Sequence, residues 1–288
     1  MTENKFSLID LGKLSKPIGK LIEAVSQGIG TLYEPTKIRR KAKAQADASL
    51  IKVESDIRKK DLLRRAANRL VFQEISRQEN IENIIKIAAH SLPATVSEDP
   101  VDKDWISRFF DECKDVSNED LQKVWARILA KEVASPGSCS RKTLSILKDL
   151  SAKDADLFNR ICNLLWLTND DIFIPYRDDL SFNVQFEKYR MDYDSLLHLN
   201  SLGLIHFNQD LAYELTYKNS ISYFGNENIC FFAPSNLLKK IFIFLLTKSG
   251  KELYFAINKE IDLLYYYESI MMLSSYYHIY LASPLKNH

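Results

Sequence analysis

The chain contains little glycine and proline, with eight of each in 288 residues. Collagen-like and linker-like chains are rich in these residues, so the sequence excludes both classes. Disordered chains combine few apolar residues with a high net charge, whereas 46% of these residues are hydrophobic and the formal net charge is +1. The sequence therefore predicts a folded protein of one large domain or two ordinary ones.

The chain also lacks the common catalytic and metal-binding motifs. It has no GxxxxGK[ST], GxGxxG or GxSxG sequence and no HExxH pair. Structural zinc needs closely spaced ligands, but the cysteines are far apart, at Cys113, Cys139, Cys162 and Cys230. We therefore expect no metal, no cofactor and no catalytic residue. An enzyme assembled from distant residues, such as Cys162 with His198, remains open.

The sequence also shows no signal-peptide pattern and no pattern typical of a membrane-spanning helix. The first residues do not show a basic region followed by an unbroken apolar core and a cleavage site. No apolar stretch reaches the roughly 20 residues that span a bilayer. We expect a cytoplasmic protein with reduced cysteines, and peripheral contact with the inner face of the membrane is the option left open.

The near-neutral charge is a cancellation between segments. Residues 1–36 have a net charge of 0, residues 37–69 carry +8, residues 70–169 carry −3 and residues 170–288 carry −4. The basic segment is expected to attract anionic partners, and the acidic segments are expected to repel them.

The first predicted segment, residues 1–36, is amphipathic. Pro17 suits the first turn of a helix, and apolar residues recur on one side of it at helical spacing. This stripe is predicted to dock on the protein's own core, on another subunit or on a membrane surface, and it consists of Ile18, Leu21, Ile22, Val25 and Ile29.

The second segment, residues 37–92, is predicted to be a long basic helix, because its interior has no glycine or proline up to His90. Lys52, Asp56 and Lys60 interrupt any strict heptad, which argues against a long stable coiled coil. The candidate residues for an anionic partner, either nucleic acid or lipid head groups, are Lys37, Arg39, Arg40, Lys41, Lys43, Arg58, Lys59, Lys60, Arg64 and Arg65. A basic face that is merely solvated is the alternative, since no aromatic residues for base stacking lie among these positions.

The third segment, residues 101–168, is predicted to be a helical bundle module. Ser117 with Asp120 predicts the start of one helix and Ser151 the start of another, with Ser135, Pro136 and Gly137 between them. Trp105, Trp125 and Trp166 fall on apolar faces and are predicted to be core residues.

The third segment contains three characteristic stretches, DWISRFFDECKDVSNE (104–119), DLQKVWARILA (120–130) and SILKDLSAKDADLF (145–158). Together they resemble a helical module of bacterial abortive-infection proteins of the alpha type. The opening DLGKLSKPIGKLIEAVSQGIGTLYEPTKIRRKAKA (10–44) and the close LLTKSGKEL (245–253) resemble an uncharacterised bacterial family of unknown function. The resemblance implies a role in antiviral defence against phage, without catalytic residues to carry over.

The fourth segment, residues 169–288, is predicted to be a winged-helix-like α+β domain. A helix near Asp192–Gly203 is followed by short β-rich runs, and residues 246–257 are predicted to form a strand, a glycine turn and a helix. The predicted helix has no Lys or Arg, so we expect it to contact protein and not DNA. The tyrosine-rich tail of this domain either completes the core or forms an interface.

An acidic cluster at the start of this segment forms either a solvated loop or a cryptic metal-dependent hydrolase site. It consists of Asp170, Asp171, Asp178 and Asp179.

The expected fold is thus mainly α with an α+β C-terminal domain. The leading hypothesis is a non-enzymatic anti-phage protein that acts through protein–protein or oligomeric contacts, with the membrane surface as a further partner. Nucleic-acid binding by residues 37–69 and the cryptic hydrolase are the alternatives.

Overall fold

The structure is a computed structural model that describes residues 16–29, 57–168, 171–177, 182–208, 210–215, 220–223, 227–232, 239–257, 259–260, 262–278 and 280–282. The chain divides into two compact units, residues 1–149 and 150–288. This boundary precedes the predicted one at residue 168, because the helix at 152–162 packs against a helix of the second unit.

The first unit is helical in its described part. Its helices are α1 (Lys16–Ile29), α2 (Ile57–Ser91), α3 (Lys103–Cys113), α4 (Glu119–Ala134) and α5 (Arg141–Asp149). The predicted long helix is therefore observed from residue 57, while residues 37–56 lie outside the described residues.

The N-terminal cap of α4 differs from the prediction. Asn118, and not Ser117, occupies the cap position, since its Oδ1 accepts the N–H groups of Asp120 at 3.1 Å and Leu121 at 3.0 Å. An asparagine satisfies these free helix-end donors as well as a serine does. Ser151, by contrast, caps the helix that follows it as predicted, in a capping box with Asp154.

Aromatic side chains form the centre of the first unit's core. The ring of Trp105 stacks on Phe109 at 5.3 Å, and Phe109 meets Trp125 edge to face at 5.2 Å. Helix α1 packs closely on α3, where a Cβ at Gly28 would lie 2.7 Å from Cδ2 of Phe110. The predicted core positions of Trp105 and Trp125 are confirmed.

The second unit combines helices with an antiparallel sheet, which confirms the predicted α and α+β class. Its elements are α6 (Ala152–Cys162), β1 (Trp166–Leu167), β2 (Ile172–Tyr176), α7 (Phe182–Phe186), a 3-10 turn (Glu187–Tyr189), α8 (Tyr193–Ser201), β3 (Ile205–His206), β4 (Ala212–Leu215), β5 (Ser220–Tyr223), β6 (Glu227–Phe232), β7 (Lys239–Leu246), α9 (Lys248–Tyr254), α10 (Leu263–Ser275) and β8 (Tyr280–Ala282).

The sheet has the strand order β3-β7-β2-β1-β5-β6-β8, and β4 also pairs with β7. The helix, strand and helix order predicted around residues 192–257 is present as α8, β3, β4, β7 and α9. Strands β3 and β4 lie along the same partner, with Ile205 opposite Leu246 and Ala212 opposite Phe242. From β7 the sheet continues through β2 and β1 to β5, β6 and β8.

The start of α9 is held against the residues that precede β3. Thr247 caps α9 by accepting the N–H of Gly250 at 3.0 Å, and its hydroxyl donates to the carbonyl of Gly203 at 2.6 Å. Gly250 therefore lies inside the helix and not in the predicted turn. A Cβ at Gly250 would overlap the carbonyl oxygen of Leu204, so this helix needs glycine in order to approach the strand.

We expect Gly250→Ala to lower the free energy of unfolding by about 3 kcal/mol, because the new methyl group forces the backbone of Leu204 away. Urea denaturation followed by circular dichroism measures the change. Gly19→Ala is the control, since no atom lies within 4 Å of its Cβ position. This control should be neutral or stabilising by up to about 1 kcal/mol. Equal stabilities of the two variants would contradict the close approach.

Candidate functional site

Helix α2 is packed against the protein over only part of its length. Ile84, Ile85 and Ala88 are fully buried, and the helix packs mainly on α4. From Lys60 to Ser76, in contrast, the side chains are exposed or half-buried. We call residues 60–76 the arm; at about 1.5 Å per residue it is about 25 Å long.

Polar contacts hold α2 in place just after the arm ends. The guanidinium of Arg77 donates to both carboxylate oxygens of Asp115, at 2.7 and 3.4 Å. One turn further along, the side-chain amide of Asn80 donates to the carbonyl of Lys114 at 2.9 Å. The hydrogen bond to Asp115 raises the pKa of Arg77 above its ordinary value, so the guanidinium stays charged.

Gln122 of α4 completes this attachment from the buried side. Only 3% of Gln122 is exposed, and its amide donates to Oδ1 of Asn80 at 3.1 Å and to the carbonyl of Val116 at 2.8 Å. One buried side chain thus connects α2, α4 and the loop between α3 and α4.

The arm exposes large apolar side chains, and their exposed fractions are 61% for Leu62, 47% for Leu63, 58% for Leu70, 72% for Phe72 and 38% for Ile75. The basic residues of the arm are also in solvent. Arg64 and Arg65 lie 3.2 and 3.1 Å from Asp61, in ion pairs that leave each guanidinium more than two-thirds exposed. The sequence pattern did not single out Phe72.

The predicted anion-binding residues are thus only partly located. Lys60, Arg64 and Arg65 are exposed on the arm, and Arg58 and Lys59 belong to the first turn of α2. The remaining candidates, Lys37, Arg39, Arg40, Lys41 and Lys43, lie outside the described residues.

The predicted contact residues of the N-terminal segment lie in the first unit. Leu21 and Val25 are fully buried and Ile18 is 9% exposed, while Ile22 and Ile29 are half-buried. The face they form packs against α3 and α4. Docking on the protein's own core was one of the options that the amphipathic pattern left open.

The described residues considered for catalysis are either paired or buried. Nε2 of His198 lies 2.7 Å from Oδ1 of Asp154. Cys162 is fully buried, and burial raises the pKa of its thiol well above the ordinary value. Asp171 accepts a hydrogen bond from Lys251 at 3.0 Å, whereas Asp170, Asp178 and Asp179 lie outside the described residues.

Glu132 is a buried carboxyl group that the sequence pattern did not single out. Its oxygens accept the N–H groups of Gly137 at 2.6 Å and Cys139 at 2.9 Å and the hydroxyl of Ser138 at 3.2 Å. Burial raises the pKa of Glu132, and these hydrogen bonds oppose that shift. A raised carboxyl pKa is typical of catalytic acids, but the loop occupies both oxygens here, so Glu132 holds the loop after α4.

A second exposed apolar surface lies on α10 in the other unit. Leu263, Leu264, Tyr267 and Met271 are each at least 60% exposed, at spacings that place them along one side of the helix. Tyr265, Leu273 and Tyr277 of the same tail are buried. The tyrosine-rich tail therefore contributes both to the core and to the surface.

The described residues contain neither a metal-binding cluster nor a membrane-spanning helix. No group of three or more His, Cys, Asp or Glu side chains is arranged to hold a metal ion there. No helix in that part of the chain has the length and apolar content needed to cross a membrane.

Comparison with known proteins gives one family. The model of the family described as "Protein of unknown function (DUF2806)" matches residues 64–270, which is more than half of the chain. The match begins inside the arm and ends within α10. No curated protein and no solved structure matches the chain.

We expect Gln122→Ala to lower the free energy of unfolding by about 1–3 kcal/mol, because it removes a buried amide that donates to two acceptors. Urea denaturation provides the measurement. Lys123→Ala is the control on the same helix, since Lys123 is exposed and pairs with its neighbour Asp120 at 2.8 Å. We expect that control to change stability by less than about 0.5 kcal/mol. A Gln122→Ala variant as stable as the control would show that this attachment is unimportant.

Proposed function

The chain belongs to the family of proteins of unknown function DUF2806, and we propose that it is a non-enzymatic bacterial anti-phage protein that binds a partner through the arm. The observation that carries the proposal is the exposure of Leu62, Leu63 and Leu70 on a helix that the fold holds in solvent. Large exposed apolar side chains in a contiguous patch are typical of interaction sites.

The defence context rests on the resemblance to alpha-type abortive-infection proteins in residues 104–158. In the structure these residues form α3, α4, α5 and the beginning of α6. They provide the surface on which α2 is fixed, with Asp115 and Gln122 as the polar contacts. In this proposal the resembling module positions the arm, and the arm makes the contact.

Nucleic-acid binding by residues 37–69 is a second candidate function. The observation that favours it is the exposure of Lys60, Arg64 and Arg65 on one helix. Binding of this kind depends strongly on salt, because basic residues release the counterions of the phosphates.

We expect the double variant Leu63→Glu with Leu70→Glu to abolish phage protection in a host that the wild-type protein protects. Two carboxylates on the apolar face would prevent its burial against any partner. The efficiency of plating of the phage measures protection. The matched control is Val184→Glu with Leu197→Glu, which introduces the same charges at exposed apolar positions of the second unit, 68% and 43% exposed.

The control should still protect, and both variants should retain the wild-type far-UV circular dichroism spectrum. Full protection by the arm variant at wild-type protein levels would contradict the proposed function.

A further inference from the structure

The two faces of the arm differ in chemistry. At about 100° per residue, Leu62, Leu63, Ala66, Ala67 and Leu70 fall within one side of the helix. From Leu62 to Leu70 no charged residue lies within this apolar face, and Glu74, which follows at its end, pairs with Arg77 at 2.8 Å. All of these positions lie in the described part of α2, so the apolar face is present in the folded helix.

Basic side chains border the apolar face. Lys60 and Arg69 lie at its two edges, and Arg64 and Arg65 lie further round the helix. Lys60 and Arg69 are exposed, and Arg64 and Arg65 both pair with Asp61. Long basic side chains can keep their charge in a polar layer while their methylene groups lie along an apolar surface. This arrangement fits a partner that is apolar inside and anionic outside.

We infer that the arm docks on the surface of an anionic lipid bilayer, with Leu62, Leu63 and Leu70 inserted between the lipids and Lys60 and Arg69 at the phosphates. Helices with leucines on one face and Lys or Arg on the other lie in the interface in this way. The inference rests on the proposed function, because it takes the arm to be the binding surface, and it names the partner.

Charge argues against a second copy of the chain as the partner. Pairing two arms through their apolar faces would bring Lys60 and Arg69 of each copy beside the basic residues of the other. The two acidic residues of the arm already pair on the same helix, Asp61 with Arg64 and Arg65 and Glu74 with Arg77. Like charges that face each other across an interface are unfavourable.

The apolar face argues against nucleic acid. Phosphates would satisfy the arginines, but they offer nothing that buries Leu62, Leu63 and Leu70. Binding to single strands uses aromatic residues that stack on bases. The aromatic residue of the arm, Phe72, lies on the opposite side of the helix from Leu63. A bilayer can bury the apolar residues among its lipids and place its phosphates beside the basic residues.

The test is co-sedimentation of the full chain with vesicles of phosphatidylglycerol or of phosphatidylcholine. We expect binding to the anionic vesicles that weakens with added salt, and much weaker binding to the neutral ones. Leu63→Ser with Leu70→Ser should weaken binding to phosphatidylglycerol at least about a hundredfold, since two leucines lose their burial. Lys60→Gln with Arg69→Gln should weaken it about thirtyfold, at about 1 kcal/mol for each basic residue.

Phe72→Ser is the matched control within the arm. Phe72 is the most exposed of the arm's large apolar residues at 72%, yet it lies outside the apolar face, so this variant should bind the vesicles as the wild type does. Far-UV circular dichroism checks that every variant keeps its helix content. Wild-type protein that stays in the supernatant with phosphatidylglycerol overturns the inference, and so does an equal loss with Phe72→Ser and with the double leucine variant.

The other partners give different results. Retention of duplex DNA or RNA on filters, lost in Lys60→Gln with Arg69→Gln and without vesicle binding, would assign the arm to nucleic acid. A dimer in sedimentation velocity that the double leucine variant dissociates, again without vesicle binding, would assign it to a second copy. Loss of phage protection in arm variants whose vesicle binding is intact would overturn the lipid partner and leave the proposed function standing.

Discussion

The attachment of α2 determines what the first unit presents to its surroundings. Arg77 and Asn80 hold the helix to the loop between α3 and α4, and Gln122 reaches the same point from α4. Beyond them Ile84 and Ile85 are buried in the core, so this part of the helix cannot leave it without exposing apolar surface to water. The arm has no comparable packing and is held in the helical state by its continuity with the attached part. A helix fixed at one end offers both faces of its other end to a partner.

The second unit achieves its rigidity by different means. Tyr277 donates to the carbonyl of Tyr176 and accepts the N–H of Phe242, so the chain after α10 is tied to the paired strands β2 and β7. Gly250 and Thr247 bring α9 close to the backbone of Gly203 and Leu204, just before β3. These contacts leave the outer side of α10 exposed, with Leu263, Tyr267 and Met271 on it. Each unit therefore has an apolar surface in solvent. The sequence of α10 contains no Lys or Arg, whereas the arm carries Lys60 and Arg69 at the edges of its apolar face.

Local patterns predicted the elements well and their surroundings less well. Apolar spacing and caps such as Ser151 are properties of neighbouring residues, and they predicted the helices and most strands. The role of Gly250 depends on Leu204, which is distant in the sequence, so the pattern suggested a turn where the fold has a helix. The stripe of Leu21 and Val25 and that of Leu63 and Leu70 look alike as amphipathic patterns. One is buried and the other exposed, because only tertiary packing decides what covers an apolar face.

Hydrogen–deuterium exchange of the full chain, with and without phosphatidylglycerol vesicles, distinguishes binding by the arm from binding by α1. We expect the amides of residues 60–76 to exchange more slowly when the vesicles are present, while those of residues 16–29 are unchanged because that helix is already packed on α3 and α4. Slower exchange in residues 16–29 with no change in residues 60–76 would contradict it.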